Sequence, residues 1–304
     1  MSNIIEIKHL TKNFGRIDVL KGINFHVKQG EIFGLVGHNG AGKSTFIHTI
    51  TDILRKSSGS IQMKGVSDQQ INDIKQSIGV MPDVANLYEQ MRGVQFLQFM
   101  GKLSGDERSK QDYEKLMQEV GLEDATKQKI KSYSFGMKKK ICVAQALLGD
   151  PDILILDEPT SGLDPESAIN IRHLIVNLQK QGKTILLTSH NLDEIDKISD
   201  RVAILSDGVI KKLGTPRQLK EEVATEINIS VRTKPHLSSD YIHELSEKLN
   251  IHINFIETRE DFTWLQVSSE DHLPILSKEI SISDYSLYEM KVEQRSLEDV
   301  FMNT

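Results

Sequence analysis

Cysteine is almost absent from this chain of 304 residues, with Cys142 its one thiol. That excludes a disulfide framework and a cysteine-rich zinc site, and it fits a reducing compartment. No run of about 18 apolar residues occurs, so no transmembrane helix is expected and any membrane role has to come through a partner. The stretch from Met1 to Gly15 lacks a basic segment followed by an apolar one, and no signal peptide is expected there. Aromatic residues are few, at 6%, and the net charge is −6, from 37 Lys and Arg against 43 Asp and Glu. A nucleic-acid coat is normally basic and a base-stacking platform aromatic, so both roles are disfavoured. No internal repeat or low-complexity segment is present.

What remains is ordinary for a folded soluble protein: 38% hydrophobic and 26% charged residues. The length suits one large domain or two ordinary ones. The first half reads as α/β. Ile23, Phe25 and Val27 alternate with polar residues, a strand pattern. Ile32–Val36, Ile153–Leu156, Thr184–Thr188 and Val202–Leu205 are short apolar runs of the kind buried on both faces of a parallel sheet. Ile171, Leu174, Ile175 and Leu178 share one helix face. Ser206-Asp207-Gly208 reads as a hairpin turn. Residues from about 84 to 150 are rich in Gln, Lys and Met and read as a helical insertion.

Gly214-Thr215-Pro216 marks the end of a first domain, residues 1–216. From about 224 to 304 the expected order is strand Glu226–Arg232, helix Leu237–Leu249, strand Ile251–Glu257, strand Phe262–Val267, helix Glu270–Glu279, strand Ser286–Val292 and a short helix Leu297–Met302. That βαββαβ order predicts a small α+β domain of the ferredoxin-like, split βαβ kind.

Gly37-His38-Asn39-Gly40-Ala41-Gly42-Lys43-Ser44-Thr45 fits the phosphate-loop pattern, after a strand and at the start of a helix. Glycines let the backbone curl so that successive N–H groups converge on phosphate oxygens, and the helix N-terminus adds its dipole. Lys43 can neutralise phosphate charge and Ser44 can ligate Mg²⁺. The run Ile153–Leu156 ends in Asp157 and Glu158. A parallel strand delivers its C-terminal end to the ligand crevice. Asp157 can hold Mg²⁺ there, and Glu158 can orient and deprotonate an attacking water. Phosphoryl transfer needs mainly positioning and charge neutralisation, and these residues supply both.

Further motifs lie between and after these. Tyr133-Ser134-Phe135-Gly136-Met137 precedes a Lys-rich helix. Pro159-Thr160-Ser161-Gly162-Leu163-Asp164-Pro165 follows Glu158, and Ser189-His190 ends the next strand. In order and spacing this set resembles the nucleotide-binding subunit of ATP-binding cassette (ABC) transporters, over roughly residues 4 to 216. The resemblance implies a P-loop NTPase fold: a RecA-like mixed sheet core, an antiparallel β subdomain and a helical subdomain. It implies ATP and Mg²⁺ as cofactors. Gly37–Thr45 would be the Walker A loop, Asp157 the end of Walker B and Glu158 the general base. His190 would be the switch histidine and Ser161–Asp164 the D-loop. Ser134 and Gly136 would form the signature that binds ATP held by a second subunit, and Phe14 would stack on adenine.

Plainer readings stand beside some of these. Phe14 also fits a core position, and His190 a structural histidine. Cys142 reads as a small core residue. The run Lys138-Lys139-Lys140 reads as a solvated or phosphate-adjacent helix face. Two positions depart from the family pattern. Phe135 and Met137 replace a glycine and a glutamine of the signature, and Asp83 stands where the family has the Q-loop glutamine. The expectation is that Asp83 still senses Mg²⁺–ATP.

The Ser296–Phe301 tail and the accessory domain resemble ATPase subunits of bacterial ABC-2-type exporters. Such a subunit works as a dimer, homomeric or heteromeric, at the cytoplasmic face of the cell membrane, held peripherally by a separate transmembrane permease. No direct nucleic-acid partner is expected. Val84–Gly93 would meet the permease, with Leu87, Tyr88 and Met91 either its apolar anchors or packing for the helical subdomain. An importer ATPase shares the catalytic motifs, and the tail favours export. A soluble cassette protein of ribosomes or DNA, or an ATP-binding module without turnover, are the other readings. The single cassette, acidic balance and intact Lys43, Asp157, Glu158 and His190 count against both.

Overall fold

The computed structural model describes residues 2–222, 227–293 and 297–302. The chain divides into two compact units, Met1–Pro216 and Arg217–Thr304.

In the first unit, long strands Asn3–Phe14 and Ile17–Lys28 pair antiparallel, and Ser58–Met63 and Val66–Ser67 extend the sheet beyond Asn3–Phe14. Its inward residues, among them Ile5, Ile7, Ile23, Val27 and Met63, pack with Phe33, Phe46, Ile47 and Ile50 into one core. A second, six-stranded sheet runs in the order Val209–Gly214, Arg201–Ser206, Ile32–Val36, Thr184–Ser189, Ile153–Leu156, Ile78–Val80. All its neighbours are parallel except the first pair, an antiparallel hairpin. The three central strands are buried at every residue, which is why they read as unbroken apolar runs rather than alternations. Asp207 and Gly208, both at positive φ, make the hairpin turn.

Thr184–Ser189 lies between Ile32–Val36 and Ile153–Leu156. The parallel direction therefore brings the loops after all three strands to one edge of the sheet. Helix Lys43–Ile50 follows the first of them. Helix Pro165–Lys180 follows the second, with Asp164 accepting from the Ser167 amide and Pro165 in the first turn. Its buried residues include Ile171, Leu174, Ile175 and Leu178, the face read from the sequence. Residues 84–150 carry helices Gly93–Ser104, Lys110–Glu119 and Phe135–Ala146.

The second unit holds strands Ile227–Lys234, Ile253–Arg259, Phe262–Val267 and Ser286–Glu293 with helices Ser239–Leu249 and Leu273–Ser281. Numbered by sequence within the unit, the antiparallel strands stand side by side as second, third, first, fourth, the order of the split βαβ arrangement. Ile229, Val231, Ile242, Leu245, Leu265 and Leu276 are among its core.

Several boundaries differ from expectation. Pro216 opens a helix, Pro216–Glu222, where only a domain end was expected. Proline is tolerated in a first helical turn because its missing N–H has no partner to lose. Leu237 lies ahead of its helix, because Ser238 caps it by accepting from Tyr241 N. Asn250, at φ 51, ends that helix and delays the next strand to Ile253. Glu270–His272 forms a separate 3₁₀ turn before helix Leu273–Ser281. The expected strand start at Glu226 and the tail residue Ser296 lie outside the described residues.

Gly79 shows how tightly the edge strand Ile78–Val80 is seated. A Cβ there would stand 1.8 Å from the carbonyl oxygen of Ala146 and 2.8 Å from Pro151. Backbone cannot yield as a side chain does, so Gly79→Ala should cost about 3 kcal/mol. A thermal scan should show the midpoint fall by roughly 5–10 °C; an unchanged midpoint would contradict this packing.

Candidate functional site

The loop between strand Ile32–Val36 and helix Lys43–Ile50 turns on Gly40 at φ 88 and Gly42 at φ 110. Only glycine adopts these values freely. Gly37 is needed for space: a Cβ there would lie 2.4 Å from the Leu205 carbonyl oxygen. The amides of the first helical turn have no partner within the helix and are available to an anion. Lys43 is only 7% exposed. Its ammonium donates to the carbonyls of Gly37 (2.7 Å) and His38 (3.3 Å) and lies 3.4 Å from Glu158 Oε1.

Glu158 has φ 48, in the left-handed region. For a residue with a Cβ this costs about 1–3 kcal/mol and persists only where surroundings hold it. The holding groups are explicit. Its N–H donates to Thr188 Oγ1 at 3.0 Å, and its carbonyl accepts from Lys139 Nζ at 2.7 Å. Its Oε2 lies 2.7 Å from His190 Nδ1, and its Oε1 faces Lys43. The Thr188 hydroxyl in turn donates to Asp157 Oδ1. One threonine thus orients both acids at the strand end.

A cleft of about 370 Å³ opens among these groups. Asn39, Gly40, Gly42, Lys43, Ser44, Thr45, Glu158 and His190 line it, together with Val19 and Ser161. Gly37 and Ala41 are buried in the loop's turn, and His38 is exposed on it. Asp157 lies behind Glu158, tied to Thr188.

The remaining candidates are placed elsewhere. Phe14 is 46% exposed, with Lys12 Nζ 4.8 Å from its ring centre, so it is not a core residue. Asp83 is exposed and accepts from the Ala85 amide at 2.9 Å, capping the turn Val84–Asn86. Ser134 caps helix Phe135–Ala146 by accepting from the Met137 amide at 3.2 Å. Gly136 sits where a Cβ would meet Ser167 Oγ at 2.8 Å. Leu87 is buried, whereas Tyr88 is exposed against Phe96 and Phe99. Cys142 is fully buried, and burial pushes its thiol up to about 12.

The lysine run does not form one solvated face. Lys138 pairs with Glu89 at 2.5 Å, and Lys140 donates to the Gly121 carbonyl at 3.2 Å. Lys139 is buried and reaches Glu158. Burial pulls its ammonium below the ordinary lysine value, opposed by Cys142 and the nearby charges of Asp83, Glu158 and Asp157. Val19 in the lining, and Thr188 and Lys139 behind it, were given no role at this site by the motifs.

A family model described as ABC transporter matches residues 20–161. The linearmycin resistance ATP-binding protein of Bacillus subtilis is 31% identical, over 99% of this chain and 97% of its own. The chain belongs to the ATP-binding proteins of ABC transporters. A fluoroquinolones export ATP-binding protein of Mycobacterium tuberculosis is 36% identical over 72% of this chain and 73% of its own. Among solved structures, cbiO1 of Clostridium perfringens, part of the ABC transporter complex cbiONQ, superposes with a TM-score of 0.66. It is 28% identical and covers 82% of this chain and 97% of its own.

As an ABC ATPase the chain binds and hydrolyses ATP. Thr188 ties the Glu158 amide to the Asp157 carboxylate, and Thr188→Val keeps its shape while removing its hydroxyl. The Glu158 amide would lose its partner and Asp157 its donor. Steady-state ATPase assays should show kcat lower by about 10–100-fold, the effect of a small misplacement of a catalytic group. ADP affinity measured by calorimetry should stay near that of the parent. A parental kcat would refute the role.

Proposed function

We propose that this chain is the ATP-hydrolysing subunit of an exporter, driving a separate membrane permease through head-to-tail closure of two cassettes. The observation that carries the reading is the convergence of Lys43, Glu158 and His190 on one cleft at the helix start. In this reading residues 1–216 are the nucleotide-binding domain, with a helical subdomain at about 84–150, and 224–304 an accessory domain.

The chemistry follows from the contacts. Lys43 faces Glu158 across the cleft, and the phosphates of ATP compete for the same ammonium. Arrival of nucleotide therefore turns Lys43 towards phosphate and releases the Glu158 carboxylate to take a proton from water. The water oxygen attacks the γ-phosphorus, and ADP leaves. His190, on the other carboxylate oxygen, keeps Glu158 aimed and can contact the γ-phosphate. The loop amides and Lys43 bear the charge that builds on the phosphoryl oxygens. Phe14, exposed upstream of the loop, is the surface on which adenine stacks.

The donor set fits Mg²⁺, which takes hard oxygen ligands and a few carboxylates beside substrate phosphates. Ser44 offers an exposed hydroxyl in the cleft and Asp157 a carboxylate already oriented by Thr188. These two would hold the ion, with Asp83 its sensor, and it would supply charge neutralisation at the phosphates. Asp83 has to leave the Ala85 amide to do so.

Ser134 and Gly136 would serve the ATP held by the second subunit, whether that is a copy of this chain or a related one. Tyr88, exposed beside Phe99, is the apolar anchor for the permease. Among the described residues no helix is long and apolar enough to cross a membrane. The chain would then be held peripherally at the cytoplasmic face by its permease, with no nucleic-acid partner. Export is favoured by relatives whose names give linearmycin resistance and fluoroquinolones export.

Glu158→Gln removes the base and keeps the size. Turnover should fall by about 10²–10⁴-fold, the usual contribution of a general base, while ATP converts the protein to a dimer in light scattering. Normal phosphate release would overturn the assignment of Glu158. For Asp83→Ala, a Mg²⁺ titration of ATPase rate should show a lower maximum at a shifted midpoint; an unchanged curve would remove Asp83 from the site. Pull-down from native membranes should bring a stoichiometric polytopic protein, and ribosomal partners instead would displace the transport reading.

A further inference from the structure

Lys139 has no counterpart in the roles given so far. It lies on helix Phe135–Ala146, outside the lining of the cleft, yet it is 8% exposed. Burying an ammonium is costly unless it is paired and hydrogen-bonded. Packing alone would be met by an apolar side chain of the same length. The ammonium donates to the carbonyl oxygen of Glu158 at 2.7 Å, and Asp83, Asp157 and Glu158 are the carboxylates whose charge reaches it.

The same helix also meets the loop after Glu158, at Gly162, and the first turn of helix Pro165–Lys180, at Ser167. A Cβ on Gly162 would stand 3.2 Å from the Phe135 ring, and one on Gly136 would stand 2.8 Å from Ser167 Oγ. Gly136 and Lys139 are three residues apart and so share a helix face. The start of this helix is therefore wedged against residues 158–167 and hydrogen-bonded to them. A shift of the helix along its axis would pull, through Lys139, on the carbonyl of a residue in a strained conformation.

We infer that Lys139 is a positioning residue that couples the Ser134 end of its helix to the aim of Glu158. Occupation of Ser134 and Gly136 by one nucleotide then sets the base of the other cleft. This rests on the head-to-tail reading above. A base held by the Lys139 contact is correctly aimed only when the helix start is engaged, so the two sites of a dimer fire together rather than singly.

The test uses the full chain with Lys139→Met, which keeps length and loses donor and charge, and Lys139→Arg, which keeps both. Steady-state ATPase rates against ATP concentration give kcat, KM and the Hill coefficient. For Lys139→Met the expected result is a kcat lower by about 10–100-fold, with KM within about twofold of the parent and a Hill coefficient reduced to one. Lys139→Arg should recover cooperativity. A merely structural lysine would move the thermal midpoint and leave the Hill coefficient of the surviving activity at the parental value. If Lys139→Met does not fold, Lys139→Leu, which also loses donor and charge, is read by the same criteria.

Parental kcat and cooperativity in the Met or Leu variant would overturn the inference. So would a parent enzyme without cooperativity. The underlying reading fails separately: Glu158→Gln that stays monomeric with ATP removes the head-to-tail dimer itself.

Discussion

The left-handed backbone at Glu158 is the constraint on which the site depends. A strand buried on both faces ends two residues earlier, at Leu156, and the chain turns out of the sheet through Asp157 and Glu158. The positive φ makes that exit and swings the carboxylate towards the loop after the neighbouring strand. Such a conformation does not hold itself. It is held by Thr188 at the amide, Lys139 at the carbonyl, and His190 and Lys43 at the carboxylate. Those four residues come from three separate segments, so the base is a product of tertiary structure, and the sheet order is what makes it possible. Were Thr184–Ser189 not between the strands that lead to Lys43 and Glu158, neither Thr188 nor His190 would face the acid.

Charge explains why the cleft is stable before nucleotide arrives. Lys43 is nearly inaccessible, and a buried ammonium has to find oxygen. Two loop carbonyls and the Glu158 carboxylate supply it. In the proposed mechanism the same arrangement makes substrate binding and activation of the base one exchange: phosphate oxygens replace a carboxylate at one cation. A polyphosphate carries more negative charge than a carboxylate and is met by the open amides of helix Lys43–Ile50 as well, so the exchange favours nucleotide. The cost of keeping Glu158 strained is offset in part by the contact that nucleotide later takes over.

Much of this was legible in the sequence, for definite reasons. Gly40 and Gly42 stand where φ must be positive, and Gly37 where a Cβ has no room, so the loop advertises itself by composition. The central strands read as apolar runs because both faces are buried, and the second unit's strands and helices followed from hydrophobic alternation to within a few residues. Thr188 was not legible: one hydroxyl in a buried strand looks like a β-branched packing residue until the neighbouring acid is seen. Lys139 was hidden by its neighbours. Three consecutive lysines suggest one solvated face, but successive helix positions point about 100° apart, and these go to Glu89, Glu158 and Gly121. Helix Pro216–Glu222 was missed because its proline was taken as a break rather than a start. The side-chain direction of Asp83 depends on the Ala85 amide, which no pattern of residue types reveals.

The departure from the family signature has a steric account. Two positions there are commonly glycine, and this chain keeps only the second. Gly136 is confined, because a Cβ there would press on Ser167 Oγ and force that side chain to turn away. Phe135 meets no such limit: its ring is exposed on one side and on the other lies over Gly162, itself without a side chain. The bulk gained at one position is matched by the bulk missing at its partner. The two glycines of the pattern therefore answer to different constraints, one to helix packing within the chain and one to whatever approaches the exposed face. The first constraint is internal and is satisfied here. The second concerns the surface that Phe135 presents; under the proposed head-to-tail closure that surface would face the other subunit's nucleotide, so the ring, accommodated within its own chain, would act on the partner.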